Sequence, residues 1–141
     1  MKTRSIAVIA ASIGLLMGGV ALAEEHKTPV APQSYLDMKN PVKDTKAVVE
    51  NGGKIYEKKC KKCHGEKGDG KGSAAGTLDI KPVAFSAPGF LKGKSDGQLF
   101  FITDKGSPDT DMDDFGPGSS SNLSADDMWS VIAYIRKTFT K

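Results

Sequence analysis

The sequence predicts an all-α domain, three or more helices with long loops, folded around something other than its own side chains. Three observations lead there. Apolar residues recur at three- and four-residue steps near the C-terminus, and no run alternates at the two-residue period of a strand. Once an N-terminal leader is set aside, apolar residues make up about a third of the chain, against about 45–50%, glycine included, in ordinary globular domains. Finally, residues 65–94 are rich in Gly and Pro and show no periodicity, and a loop of that length is out of place in a compact domain unless it wraps something.

Residues 1–23 read as a secretory signal peptide. Lys2 and Arg4 give a positive start, residues 6–23 are apolar, and Ala21-Leu22-Ala23 is a small-x-small cleavage site ahead of Glu24. Cleavage leaves 118 of the 141 residues and lowers the basic count from 20 to 18, against 17 acidic residues. A nearly neutral chain of single-domain length is not a nucleic-acid binder of the strongly basic kind. No second apolar run approaches the roughly 20 residues of a membrane span, so none is expected after cleavage. The leader's own run is close to that length, which makes an uncut anchor the alternative. Residues 24–43 are polar and aperiodic and read as an arm, pinned to the surface by Tyr35, Leu36 and Met38. The main domain is expected over 44–141.

A first helix is expected over 45–60, capped by Asp44 or Thr45. Gly52 and Gly53 fall in its middle, each costing about 1 kcal/mol against Ala, which points to close backbone approach by another element. The helix runs into Cys60-Lys61-Lys62-Cys63-His64, the C-x-x-C-H pattern of covalent c-type haem attachment. Two thiols three residues apart on a helical turn reach the vinyl groups on one porphyrin edge. The next residue then sets its imidazole under the iron as proximal ligand. A thioredoxin-like pair would need a strand-to-helix turn in a βαβ unit, and the charged helical stretch before the motif does not supply one. A structural disulfide across two intervening residues is strained. A zinc site lacks a second paired motif.

A middle helix is expected from Ser95, with Ser95 and Gln98 as a capping box and Gly106 as its stop. The last helix starts at the cap Ser124, with Asp127 three residues on and Leu123 stapled to Met128; Met128, Val131, Ile132, Ile135 and Phe139 form its apolar face. Phe85, Phe90, Leu78, Phe101 and Trp129 belong either to a haem pocket or to the core. For the sixth iron ligand the choices are His26 on the arm and Met38, Met112 and Met128. Met128 belongs to the core stripe, whereas Met112 sits in a Gly/Pro/Asp loop able to carry a thioether across the haem.

Gly52, Tyr56, the C-x-x-C-H motif with Gly65, the run Gly68-Asp69-Gly70-Lys71-Gly72 and the terminal stretch from Leu123 to Arg136 together resemble class I, monohaem cytochromes c of the periplasmic bacterial type. The resemblance implies the cytochrome c fold, with one haem c bound through Cys60 and Cys63. It further implies His64 and Met112 as axial ligands, though Asp113 stands where that family often has Pro. It also implies that Gly52 lets the terminal helix cross, with Tyr134 packing there. Pro82 is expected to offer its backbone carbonyl to the second ring nitrogen of His64, fixing the ring and raising its basicity.

The expected function is one-electron transfer in a periplasmic chain, since haem attachment of this kind happens outside the cytoplasm. With both axial positions taken, no coordination site is left for a substrate, which argues against an enzyme and against a gas sensor. The chain is expected to be a monomer that meets redox proteins transiently through a charged surface at the haem edge. The alternative is a haem c subunit held permanently in an oxidoreductase. Charge is uneven: residues 54–71 hold seven Lys against Glu57, Glu66 and Asp69, while residues 104–114 hold five Asp against Lys105. The lysine side is the expected docking face.

Overall fold

The C-terminal helix is the element on which the others are assembled. In the computed structural model, which describes residues 28–42 and 44–141, the order is α1 (Gln33–Leu36), α2 (Lys46–Ile55), a π-helical turn (Tyr56–Cys60), α3 (Lys61–His64), a 3₁₀ turn (Ala75–Thr77), α4 (Asp96–Lys105) and α5 (Ala125–Phe139). The expected signal peptide, residues 1–23, and His26 lie outside the described residues. No strand occurs among the described residues.

α5 begins where its cap is expected. The Ser124 hydroxyl accepts from the Asp127 N–H at 3.1 Å and donates to the Asp127 carboxylate at 2.8 Å. That bond, together with one from Asn51, holds the Asp127 carboxyl below its ordinary value. All five residues of the predicted apolar stripe are buried. They serve two clusters: Val131, Ile135 and Phe139 pack with Tyr56, Phe85 and Leu91, while Met128 and Ile132 pack with Phe100 and Trp129. Leu123 joins the second cluster, as the staple requires.

α2 starts at the cap Thr45, whose hydroxyl accepts from the Val48 N–H at 3.3 Å. It crosses α5 at the glycine pair. A Cβ on Gly52 would land on the Ser130 carbonyl oxygen, and one on Gly53 would lie against the Tyr134 ring, 3.1 Å from Cε2. The helix expected over 45–60 is α-helical only as far as Ile55; its last five residues widen into the π turn. The wide turn resets the phase, so that Tyr56 is buried against α5 while Cys60, Cys63 and His64 all border one cavity.

The glycine-rich run after α3 closes that helix. The N–H groups of Gly70, Gly72 and Ala74 bond the carbonyls of His64, Cys63 and Lys62 at 2.9, 3.0 and 2.9 Å, satisfying acceptors that a helix end leaves open. Neither glycine has room for a side chain: a Cβ on Gly70 would meet the Pro82 carbonyl oxygen, and one on Gly72 that of Lys62. The rest of the 65–94 loop returns to α4, and Arg136 of α5 fastens the join. Its guanidinium pairs with Asp96 and donates to the carbonyls of Leu91 and Lys94 at 2.8 and 2.6 Å.

α4 is capped by Ser95, whose hydroxyl accepts from the Gln98 N–H at 3.0 Å, and stops at Gly106, φ 72°. The capping box is only half made, because the Gln98 side chain is engaged with the arm instead. The arm carries the short helix α1, and its Tyr35 and Met38 pack against the second cluster.

The crossing predicts opposite outcomes at two glycines. Gly52→Ala gains about 1 kcal/mol of helix propensity yet is expected to lose at least about 2 kcal/mol net, because backbone has to shift. Gly76→Ala, where nothing lies within 4 Å of the added methyl and φ is not positive, is expected to be neutral or to stabilise by about 0.5 kcal/mol. Urea unfolding of the two variants measures both.

Candidate haem-binding site

Cys60, Cys63, His64, Pro82 and Met112 all line one cavity, roofed by the 65–94 loop and floored by α4 and α5. The first three arrive together because the π turn and α3 place them on one face. Both cysteines are unpaired thiols, not a disulfide. Burial, and secondarily the neighbouring Cys63, pushes the Cys60 thiol up to about 12. The sulfur is thus held neutral among apolar groups. Among the described residues no cluster of three or more His, Cys, Asp or Glu side chains is placed to hold a metal ion.

His64 is 7% exposed and stacks on Phe85, with ring centroids 4.4 Å apart and planes 14° from parallel. Burial pulls its basicity down, against a raising contribution from the Val83 carbonyl, so the ring is kept in the neutral form that binds metals. The expectation that the Pro82 carbonyl faces Nδ1 is corrected: the carbonyl there is that of Val83, 3.4 Å away. Pro82 turns its own carbonyl toward Gly70, in the space a Cβ would fill, and the next residue faces the imidazole. Pro82 still borders the cavity. With Nδ1 aimed at a carbonyl, Nε2 is the nitrogen left for a metal.

Met112 is carried by a loop that the end of α4 starts and a set of local bonds braces. Gly106 turns the chain at positive φ, and a Cβ there would meet the backbone of Met112 to Asp114. The Ser107 N–H bonds the Met112 carbonyl at 2.9 Å. The Thr110 hydroxyl donates to the Ser107 carbonyl at 2.8 Å and accepts from the Met112 N–H at 3.1 Å. Phe115 N–H then returns to the Thr103 carbonyl at 3.0 Å. Asp113 follows Met112, and these bonds supply the stiffness that a proline at that point would bring.

The structure separates the aromatic and aliphatic residues that sequence left undivided. Leu78, Phe85 and Phe90 line the cavity. Trp129 is core, stacked on Phe100 at 4.1 Å, and Phe101 lies edge-on to Tyr35 at 5.1 Å. Sequence reading missed Leu99, Ile102 and Thr103, which line the cavity from α4. Their i, i+3, i+4 spacing is a helical face, and that was the available signal. Thr110, whose hydroxyl braces the loop, carried no such signal.

The donor set fits a covalently held haem. Two thiols three residues apart, a neutral imidazole and a thioether border one mainly apolar cleft. Cys60, Cys63 and His64 would hold the group on one side, and Met112 would meet it from the loop.

The bond from the Tyr56 hydroxyl to the Gly65 carbonyl, 2.7 Å, ties the helix before the motif to the residue after it. Burial raises the Tyr56 pKa above the ordinary value of 10. The native state therefore keeps the phenol proton longer than the unfolded chain does. The stabilisation is fully present below pH about 10 and is lost as pH rises from there toward the raised native value. Tyr56→Phe is expected to cost about 1 kcal/mol at pH 7 and to flatten the alkaline limb of the stability profile, measurable by denaturant unfolding between neutral and strongly alkaline pH.

Comparison with known proteins follows the same lines. Residues 49–139 match the family model described as cytochrome c. No curated protein matches the sequence. Among solved structures, a chain of the Kuenenia stuttgartiensis reducing HAO-like protein complex is 28% identical with a TM-score of 0.60, over 75% of this chain and 49% of that one. Cytochrome cL of Methylophaga aminisulfidivorans is 21% identical with a TM-score of 0.50, over 68% of this chain and 59% of that one. The chain thus spans about half to three-fifths of the length of these two structures. With the family matched across most of the domain and the C-x-x-C-H motif on the cavity wall, the chain belongs to the cytochrome c family, as a monohaem class I member with one covalent haem c.

Proposed function

We propose that the protein is a one-electron carrier of the periplasm, exported by residues 1–23 and released by cleavage after Ala23. The observation that carries this reading is the shared cavity lining of Cys60, Cys63, His64 and Met112. The haem supplies the redox chemistry, with its iron alternating between ferrous and ferric. The chain's residues do the rest. His64 and Met112 would hold the iron between them, and such a pair favours a raised potential and would leave no coordination site for a substrate. Apolar side chains keep water out, and Val83 fixes the imidazole. The protein on this reading is a carrier, not an enzyme.

Partner docking is assigned to the basic side. Lys61 is committed locally, to Glu57 at 2.8 Å and Glu66 at 4.0 Å. Lys58, Lys59 and Lys62 are exposed and make no ion pair among the described residues, and Lys59 borders the cavity itself. The docking contribution therefore falls to these three. A charged face of this kind speeds encounter more than it strengthens the complex. A second reading, a haem subunit held in an oxidoreductase, is favoured by the likeness to a chain of the HAO-like complex. Co-purification at constant stoichiometry from the native cell separates it from the free carrier.

Two measurements test the proposal. Met112→Ala is expected to abolish the far-red sulfur-to-iron band of the oxidised protein. It is also expected to lower the midpoint potential by on the order of a tenth of a volt, within the roughly 0.8 V that axial ligands command. An unchanged band would place the sixth ligand elsewhere. Stopped-flow electron transfer to an acidic partner is expected to slow steeply as salt rises. Lys58→Glu with Lys62→Glu should flatten that slope, and an unaltered slope moves docking to another face.

A further inference from the structure

We infer that Gln98 is a positioning residue for the haem site: it clasps residues 29–31 across the rim of the cavity, and the clasped arm keeps water from the haem. This rests on the haem reading above. The arm lies outside residues 49–139, the part matched to the family.

Gln98 is 7% exposed, yet neither end of its amide is spent on its own helix. Its Nε2 donates to the Pro29 carbonyl at 2.9 Å, and its Oε1 accepts from the Ala31 N–H at 2.9 Å. An amide buried with both ends satisfied by one short peptide segment selects that segment, because either end left unpaired costs free energy. The neighbouring residue shapes the seat. At Gly97, a Cβ would land on the Tyr35 carbonyl oxygen, so the arm passes the first turn of α4 at backbone contact. A third fastening lies at the other end of α4, where the Tyr35 hydroxyl donates to Asp104 at 2.7 Å. Asn40 completes the path by donating to the Trp129 carbonyl at 3.0 Å.

The clasp bears on the site because of what precedes it. Thr28, directly before the clasped residues, lines the cavity alongside Gln98, Leu99 and Met112. Ala31 is 4% exposed. With the arm in place, the α4 side of the cavity is walled by peptide and side chain. Lifting it admits water to that side. Ferric haem carries one more positive charge than ferrous haem and gains more from hydration, so a wetter site has a lower potential.

Amide hydrogen exchange and potentiometry on the haem-loaded protein test this together. In the unmodified protein the Ala31 N–H is expected to exchange as slowly as the hydrogen-bonded amides of α4. In Gln98→Leu it should exchange about fivefold faster, the loss of one net hydrogen bond of about 1 kcal/mol, while α5 amides are unchanged and the midpoint potential falls. Gly97→Ala, which is not on the cavity lining, should do the same by unseating the arm. Three results overturn the proposal: fast Ala31 exchange in the unmodified protein, slow exchange retained in a variant, or faster exchange with an unmoved potential. If Gln98→Leu does not fold, Gly97→Ala and the unmodified protein still decide it. The visible spectrum of each sample is recorded alongside. Its absence from the unmodified protein overturns the haem reading, whereas a normal spectrum with any of those three results overturns the clasp alone.

Discussion

Everything in this molecule depends on two helices touching where one has no side chain. α2 meets α5 at Gly52, with Ser130 backbone in the place a Cβ would take. The approach brings Tyr56 and Tyr134 into contact at 5.4 Å and Tyr56 against Phe139 at 5.2 Å, which locks the rotation of the entering helix. Rotation is what matters, because the helix leads straight into the two thiols and the imidazole. A looser crossing would leave the same residues on the same chain with no fixed aim at the cavity. The glycine pair therefore gives up helix propensity for position, a trade a short helix tolerates only when tertiary packing holds it.

Much of the fold was legible because its signals are local. Ser95, Thr45 and Ser124 announce helix starts through hydroxyls that meet their own N3 amides, and Gly106 announces a stop through its positive φ. The α5 stripe is periodic and needs no knowledge of its partners. What escaped was the contact between segments distant in sequence. Gln98 looks like half of a capping box, and only the fold shows that the arm, 67 positions earlier, claims its amide. The choice between Pro82 and Val83 is of the same kind. Neighbouring carbonyls differ in direction alone, and the direction is set by how the loop passes Gly70. The π turn was invisible for another reason: the residues 56–60 have nothing in their composition that distinguishes a wide turn from an ordinary one.

Stiffness is distributed unevenly around the cavity. On the cysteine side, three loop amides return to three consecutive carbonyls, so the attachment wall is closed on itself. On the methionine side, the loop is held by a hydroxyl bridge at Thr110 and a few backbone bonds. The wall that carries the two cysteines is thus the more closely braced one, and Met112 sits on the side with fewer such bonds. The thin apolar content read from the sequence has its counterpart in two modest clusters, which share α5 and flank the cavity without filling it.

The wide turn at Tyr56–Cys60 makes the length of this stretch part of the chemistry. An α-helix advances about 100° per residue, so a helix can serve two masters, a crossing at one end and a cofactor at the other, only if the count between them is right. Here the count is adjusted by a local widening instead of by a loop. Loss of one residue between Gly52 and Cys60 can be taken up by relaxing the turn to regular α-geometry, whereas gain of one swings both thiols around the helix. A single-residue insertion in this stretch is thus a more severe lesion than an exposed substitution there, although four of its side chains, Lys54, Glu57, Lys58 and Lys59, face solvent.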